Sequence, residues 1–354
     1  MHIGIQLVLQ NYREATNDGA VLDREYHLAE LAEPLGFDSI WCVEHHFDSY
    51  SMGPDTPQIL AYLAGRTKKI KLATGAVILP WNDPLRVVEK MILLDYQAKG
   101  HVMFGMGHGL ARMEYDGFQI DMNTARERFA ESARMIIAGL ETGIVQGDGP
   151  FYKQKPIEVR PRPRGATWKD RTYMVAMSPT STPLCAELGA QPMVFVQKPW
   201  EETKEHIELF RSCWEKHHSS PPPPPTFAEF LICAESASEA NELAKEHIAN
   251  YYHSVVTHYE FTKVENFQKK GYGSYAEQAK ALGEFGVDNA AKGFVEINAY
   301  GTPEQVLEKL RARRELIGDF NLSIVPTFGG LTDAAAEKSM RLISEKVLPK
   351  LRAF

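Results

Sequence analysis

Cysteine is scarce: four residues in 354, at Cys42, Cys185, Cys213 and Cys233, with no CxxC pair among them. Such scatter supports neither a zinc cluster nor a disulfide framework, and the four read as reduced, buried thiols. No apolar run reaches the ~18 residues of a membrane span. No stripe of Lys and Arg appears in a chain whose formal charge is −7, so neither a membrane nor a nucleic acid is expected as a partner. The chain begins on a strand-like Met1-His2-Ile3-Gly4-Ile5 without a signal-peptide pattern, and a cytoplasmic location is expected. A glycine-rich phosphate turn is also missing after the first strand, where Val8-Leu9-Gln10-Asn11-Tyr12 stands, which argues against a doubly wound nucleotide-binding sheet.

What the sequence does hold is a repeating alternation of strand and helix. With 44% hydrophobic and 24% charged residues the chain is globular and long enough for one large α/β barrel. Apolar runs predict eight strands, at His2–Val8, Asp38–Val43, Ile70–Ile78, His101–Met106, Thr172–Ala176, Pro192–Val196, Thr226–Ala234 and Leu322–Pro326. Amphipathic helices follow them, from Leu22–Leu35 to Thr332–Leu348, with Ser238–Tyr252 after the seventh strand. Eight such units predict a single (β/α)8 TIM barrel spanning residues 1–354. The stretch 259–301 is too long for a loop between the seventh and eighth strands, and it reads as an insertion with a helix at Tyr275–Phe285. On the catalytic face of a barrel it is a candidate mobile lid, with Gly271 and Gly273 as hinges.

Chemistry concentrates where the second strand ends. Trp41-Cys42-Val43 is an apolar run that stops abruptly at Glu44-His45-His46, at the strand edge where barrel enzymes place reacting groups. Histidine is the usual general acid or base near neutral pH. Adjacent His45 and His46 make a poor metal pair, because neighbouring strand positions point to opposite faces, and no metal is expected.

Leu35-Gly36-Phe37-Asp38-Ser39-Ile40-Trp41 with Glu44-His45-His46-Phe47, then Thr74-Gly75-Ala76-Val77-Ile78-Leu79-Pro80, Gly105-Met106-Gly107-His108-Gly109-Leu110, Ala125-Arg126, Ser178-Pro179-Thr180-Ser181 and Gly301-Thr302-Pro303-Glu304-Gln305 together resemble the bacterial luciferase-like family of FMN-dependent monooxygenases, nearest its α-subunit branch. The resemblance implies a (β/α)8 barrel, agreeing with the strand count. It also implies use of FMN, as FMNH2 supplied by a separate NAD(P)H:flavin reductase, to activate O2 through a flavin C4a-peroxide. By the same resemblance His45 is the catalytic histidine, with Glu44 as the carboxylate that orients it, and a non-proline cis peptide falls between Gly75 and Ala76 beneath the isoalloxazine.

The cofactor-binding set so implied is Gly75, Ala76, Met106, His108, Arg126, Ser178 and Ser181, with Arg126 and the two serines on the phosphate. Luciferases have an arginine where this chain has His108; a histidine is the weaker cation, and Arg112 is the candidate to compensate. Trp41, Phe47, Met106, Phe195, Trp200 and Phe328 are candidate apolar lining. The expected reaction is insertion of one oxygen atom into a small, largely apolar organic substrate, and the enzyme is expected to be a homodimer. Two alternatives stand beside it: a deazaflavin-dependent hydride-transfer oxidoreductase of the same superfamily, and a non-catalytic flavin-binding partner subunit.

Overall fold

In the computed structural model, which describes every residue except 166 and 354, eight parallel strands close into a barrel. They are β1 (Ile3–Leu7), β2 (Ser39–Cys42), β3 (Lys71–Thr74), β4 (Val102–Gly107), β5 (Thr172–Val175), β6 (Gln191–Phe195), β7 (Thr226–Phe230) and β8 (Asn321–Val325). Each pairs with its neighbour, β8 returns to β1 through Ile3 opposite Leu322, and β3 meets β4 through Leu72 opposite Val102. The strands are buried on both faces, as helix-covered parallel strands must be, which is why they read as unbroken apolar runs. The (β/α)8 expectation holds.

Local signals set the helix starts. Asn17, Asp55 and Asp83 each accept a backbone N–H three residues ahead, opening helices at Asp18–Ala32, Thr56–Ala64 and Pro84–Gln97. Thr302 and Gln305 form a reciprocal capping box with Pro303 at the first helical position, opening Pro303–Ile317.

That last helix corrects the sequence reading. Pro303–Ile317 packs against Trp200–His217 and against the C-terminal helical stretch, and so fills the outer-ring place before β8. The expected Ser238–Tyr252 helix is real but longer, running from Ala237 to His258 through a π-helical turn at Ala244–Ile248, and its end overhangs the mouth of the barrel. The third strand is also split: β3 ends at Thr74, and Val77–Ile78 rejoins the sheet against Met106 and Gly107 of β4. An antiparallel hairpin, Ile144–Asp148 with Lys153–Glu158, was missed although Gly147-Asp148-Gly149-Pro150 is a turn signal.

The inserted segment carries a short turn at Val264–Phe267 and helices Gly273–Phe285 and Val287–Ile297. Its Phe267, Tyr272 and Tyr275 are buried against Tyr115, Met122 and Ala125, which follow β4. Gly271 makes a close approach here: it has φ +86°, and a Cβ there would lie 2.1 Å from Nε of Arg126.

One buried ion pair ties β7 to the outer ring. Glu229, wholly buried, receives Nη1 of Arg313 at 2.6 Å and the Ala299 N–H at 2.5 Å. Removing one partner of such a pair leaves an uncompensated buried charge. Arg313→Ala is therefore expected to lower the unfolding free energy by about 3–5 kcal/mol, read from urea denaturation as a lower midpoint at unchanged slope.

Candidate active site

The C-terminal ends of the strands open into one cavity holding about 1330 Å³ of empty space, its open mouth included. Of the residues singled out from sequence, Glu44, His45, Gly75, Ala76, His108 and Ser181 line it. Gln6 on β1 anchors its floor: the side chain donates to the Gly75 carbonyl at 3.0 Å and accepts from the Ser323 hydroxyl at 3.0 Å. The Gly75–Ala76 peptide is cis, as the resemblance implied. Gly75, Ala76, Gly107 and Gly109 make this wall low and smooth, the shape a planar ring requires.

The pairing of carboxylates with histidines differs from the expectation. Glu44 does not orient His45. Its carboxylate accepts from the Ile78 N–H, the Trp81 indole and the Asn82 amide at 3.1, 2.8 and 2.8 Å, and pairs with His46 Nε2 at 3.2 Å. It thus anchors the loop that follows the split third strand. The carboxylate on His45 is Glu114, from the short helix Arg112–Gly117, which accepts Nδ1–H of His45 at 3.0 Å and the His46 N–H at 2.9 Å. Burial pushes the Glu114 carboxyl up, yet the charge and hydrogen bond of His45 outweigh it, and the net effect is a lowered pKa.

With Nδ1–H committed to Glu114, Nε2 of His45 faces the Tyr259 hydroxyl at 3.4 Å. Tyr259 belongs to the inserted segment, so that segment reaches the reacting end of the histidine. His258 packs edge-on to His45, 5.1 Å between ring centres, and donates Nδ1–H to Asp48 at 2.8 Å. His45, Glu114 and His258 each present one atom within 4.8 Å of the others, a donor set that suits zinc or iron. Two of those atoms already satisfy each other, whereas Nε2 of His258 is buried without a partner.

Other expected residues lie elsewhere. Met106 is fully buried in the layer between strands and helices, so its neighbours Gly107 and His108 supply the cavity wall in its place. Phe47 is largely exposed, Trp200 packs on Phe227, and Phe328 sits in the core against Phe230. Trp41 and Phe195 do line the cavity.

Arg126 turns toward the insertion, donating Nη2–H to the Gly271 carbonyl at 2.5 Å with its guanidinium 5.2 Å from the Tyr272 ring centre. Its Nε is buried and unpartnered. Arg112 lies off the cavity lining and is paired with Asp116 and Glu260 at 2.6 and 2.8 Å. Ser178 and Ser181 share a hydroxyl contact at 2.9 Å and cap their own turn, with Ser181 at the cavity.

Glu114 and Tyr259, which complete the histidine site, were missed. The three-residue lead from Glu114 into a Gly117 stop marks a short helix, but nothing in the sequence says which histidine it meets.

His108 is held neutral: burial, and then the nearby Arg126 charge, lower its pKa to about 4 from the ordinary 6.5. At neutral pH it donates a hydrogen bond without a charge, here to the Gly109 carbonyl at 2.5 Å. The unfolded chain therefore takes up this proton first as pH falls, so stability should drain away between about pH 6.5 and 4 and level off below. His2, which burial also lowers to about 4, titrates in the same window, so His108→Asn is expected to make the loss between about pH 6.5 and 4 shallower in pH-dependent urea melts without abolishing it.

Comparison with known proteins adds three findings. The family model for luciferase-like monooxygenases matches residues 1–319. An alkanal monooxygenase alpha chain from a Kryptophanaron alfredi symbiont is 27% identical over 340 residues, covering 94% of this chain and 93% of its own. The crystal structure of the monooxygenase RslO1 from Streptomyces bottropensis superposes with a TM-score of 0.79 at 26% identity, covering 99% and 100% of the two chains. The fold alone extends further, to the coenzyme F420-dependent tetrahydromethanopterin reductase of Methanopyrus kandleri at 18% identity, TM-score 0.70 and 99% coverage of each chain.

Proposed function

The chain belongs to the luciferase-like monooxygenase family, and on that premise we propose that it works as the oxygenating half of a two-component system. A separate NAD(P)H:flavin reductase delivers reduced FMN; one atom of O2 enters a small, largely apolar organic substrate and the other leaves as water, the flavin giving up two electrons. The observation that carries this reading is the cavity itself: a smooth wall with a cis Gly75–Ala76 peptide faces an oriented histidine whose Nε2 opens to the interior.

Reduced FMN, when bound, supplies the electrons that activate dioxygen. The chain's residues supply the setting. Gly75 and Ala76 leave room for the ring. Ser181 and neutral His108 offer hydrogen bonds, and Arg126, with a buried Nε in need of an acceptor, offers the charge for the phosphate. His45 carries the proton at Nε2. Glu114 fixes the tautomer and stabilises the imidazolium, as a partner carboxylate does for a catalytic histidine. Tyr259, Phe261 and Tyr275 bring the insertion over the cavity and keep water out, the service of a lid. Met106 and Ser178 take no direct part, and Glu44 acts by anchoring the loop that carries Ile78.

His45→Ala is expected to leave FMN binding within a few-fold and to lower product formation by about 10²–10⁴, measured with a reductase, NADH and a quantified oxygenated product. Unchanged turnover would overturn the role of His45. Product formed equally well without O2 from a reduced deazaflavin would replace the oxygenase with the hydride-transfer alternative, and FMN bound with no oxygenated product and flavin oxidation no different from the reductase alone would leave only the partner-subunit alternative.

The phosphate assignment has its own control. Arg126→Ala is expected to weaken FMN by about 2 kcal/mol while riboflavin, which lacks the phosphate, binds both proteins alike. Equal losses for the two flavins would make Arg126 a tether for Gly271 and nothing more.

A further inference from the structure

The wall opposite the glycines is aromatic, and its chemistry bears on the substrate, which the proposed oxygenase activity leaves open. Around His45 stand the rings of Tyr50, Tyr251, Tyr259, Phe261 and Tyr275, all lining the cavity. They form one connected surface: Tyr50 lies edge-on to His45 at 5.1 Å, Tyr259 tilts against Phe261 at 5.5 Å, and Phe261 is parallel to Tyr275 within 9° at 6.4 Å.

Three of these rings carry hydroxyls near the histidine. The hydroxyls of Tyr50 and Tyr251 are 2.5 Å apart, and that of Tyr259 shares a hydrogen bond with Tyr50 and makes a long 3.4 Å contact to Nε2 of His45. Burial raises all three phenols well above their ordinary range, so each remains a neutral donor and acceptor. Among the described residues that line the cavity there is no Lys or Arg, and Arg126, held on Gly271 off that lining, is assigned to the flavin phosphate, so a charged substrate group against the aromatic wall has no counter-ion of its own.

Resting on the oxygenase reading, we propose that this enzyme takes a compact, uncharged, ring-shaped substrate bearing a phenolic or enolic hydroxyl, rather than a straight-chain aldehyde. The ring stacks or meets edge-on with the aromatic wall, while its hydroxyl replaces the loose His45–Tyr259 contact, between Nε2 and the phenol. Aromatic walls reward aromatic guests beyond the area they bury, and a placed hydrogen-bond pair rejects guests that cannot use it. His45 is then positioned to take the hydroxyl proton, which makes the ring electron-rich at the carbon that accepts oxygen.

Three ten-carbon probes separate the terms: 2-naphthol, naphthalene and n-decanal, each titrated into FMN-loaded protein and followed by flavin fluorescence or calorimetry. 2-Naphthol is expected to bind about 10-fold more tightly than n-decanal, with naphthalene between them. In Tyr259→Phe the advantage of 2-naphthol over naphthalene should shrink several-fold while naphthalene itself is unchanged, which a merely structural tyrosine would not do. Tightest binding by n-decanal, or an undiminished 2-naphthol advantage in Tyr259→Phe, overturns the substrate class. Protein that binds FMN and reduces O2 to hydrogen peroxide but takes none of the rings also overturns it while leaving the oxygenase reading intact; failure to bind FMN overturns both.

Discussion

The geometry of the cavity depends on one irregular contact in the barrel wall, between Thr74 and Gly105. The two strands keep a normal ladder only through Ala73 and Met103. Beyond it the Thr74 hydroxyl donates to the Gly105 carbonyl at 2.7 Å and accepts the Gly105 N–H at 2.8 Å, replacing backbone partners with a side chain. A Cβ on Gly105 would fall 2.1 Å from the Thr74 carbonyl, so glycine is required where the strands close. Released from the ladder, the chain steps aside at Gly75–Ala76 and re-enters at Val77–Ile78. That step delivers the small residues to the cavity wall and points the Ile78 N–H at Glu44.

The same step decides the electrostatics. Two carboxylates and two histidines meet at the end of β2, and each carboxylate is claimed by the donors that reach it. Glu44 already receives three N–H groups from the loop after the third strand, which leaves it His46 and the task of fixing that loop. Glu114 arrives from another helix and takes the His46 N–H together with Nδ1 of His45. A buried carboxylate held by a backbone N–H and a histidine stays ionised. Its partner histidine is thereby held in one tautomer with Nε2 toward the cavity.

The barrel was legible because parallel strands covered by helices carry no polar alternation: Ile3 to Leu7 and Leu322 to Val325 announce themselves by composition. The split of the third strand was not, since Thr74, Gly75 and Ala76 are compatible with a continuing strand and the break comes from a contact 31 residues away. Pro303–Ile317 was legible and overlooked, its Thr302-Pro303-Glu304-Gln305 being a capping signal in its own right. In the site, the end of β2 placed His45 on the cavity, where the structure has it, because a strand terminus fixes position by local register. Its partner could not be found that way. Glu44 is adjacent in sequence and Glu114 adjacent in space, and only the return of the chain after β4 distinguishes them.

The insertion shows why a segment expected as a movable cover belongs to the site even when docked. It touches the barrel through three different forces. Glu260 holds Arg112 by charge, Phe267 and Tyr272 bury apolar surface against Tyr115 and Met122, and the Gly271 carbonyl takes a hydrogen bond from Arg126. The last contact is the informative one. A guanidinium has five donors, and the one at Nε lies buried without an acceptor, a cost on the order of 1–3 kcal/mol. The docking of the insertion and the protonation of His108 therefore both act on one arginine, through its hydrogen bond to Gly271 and its charge near His108.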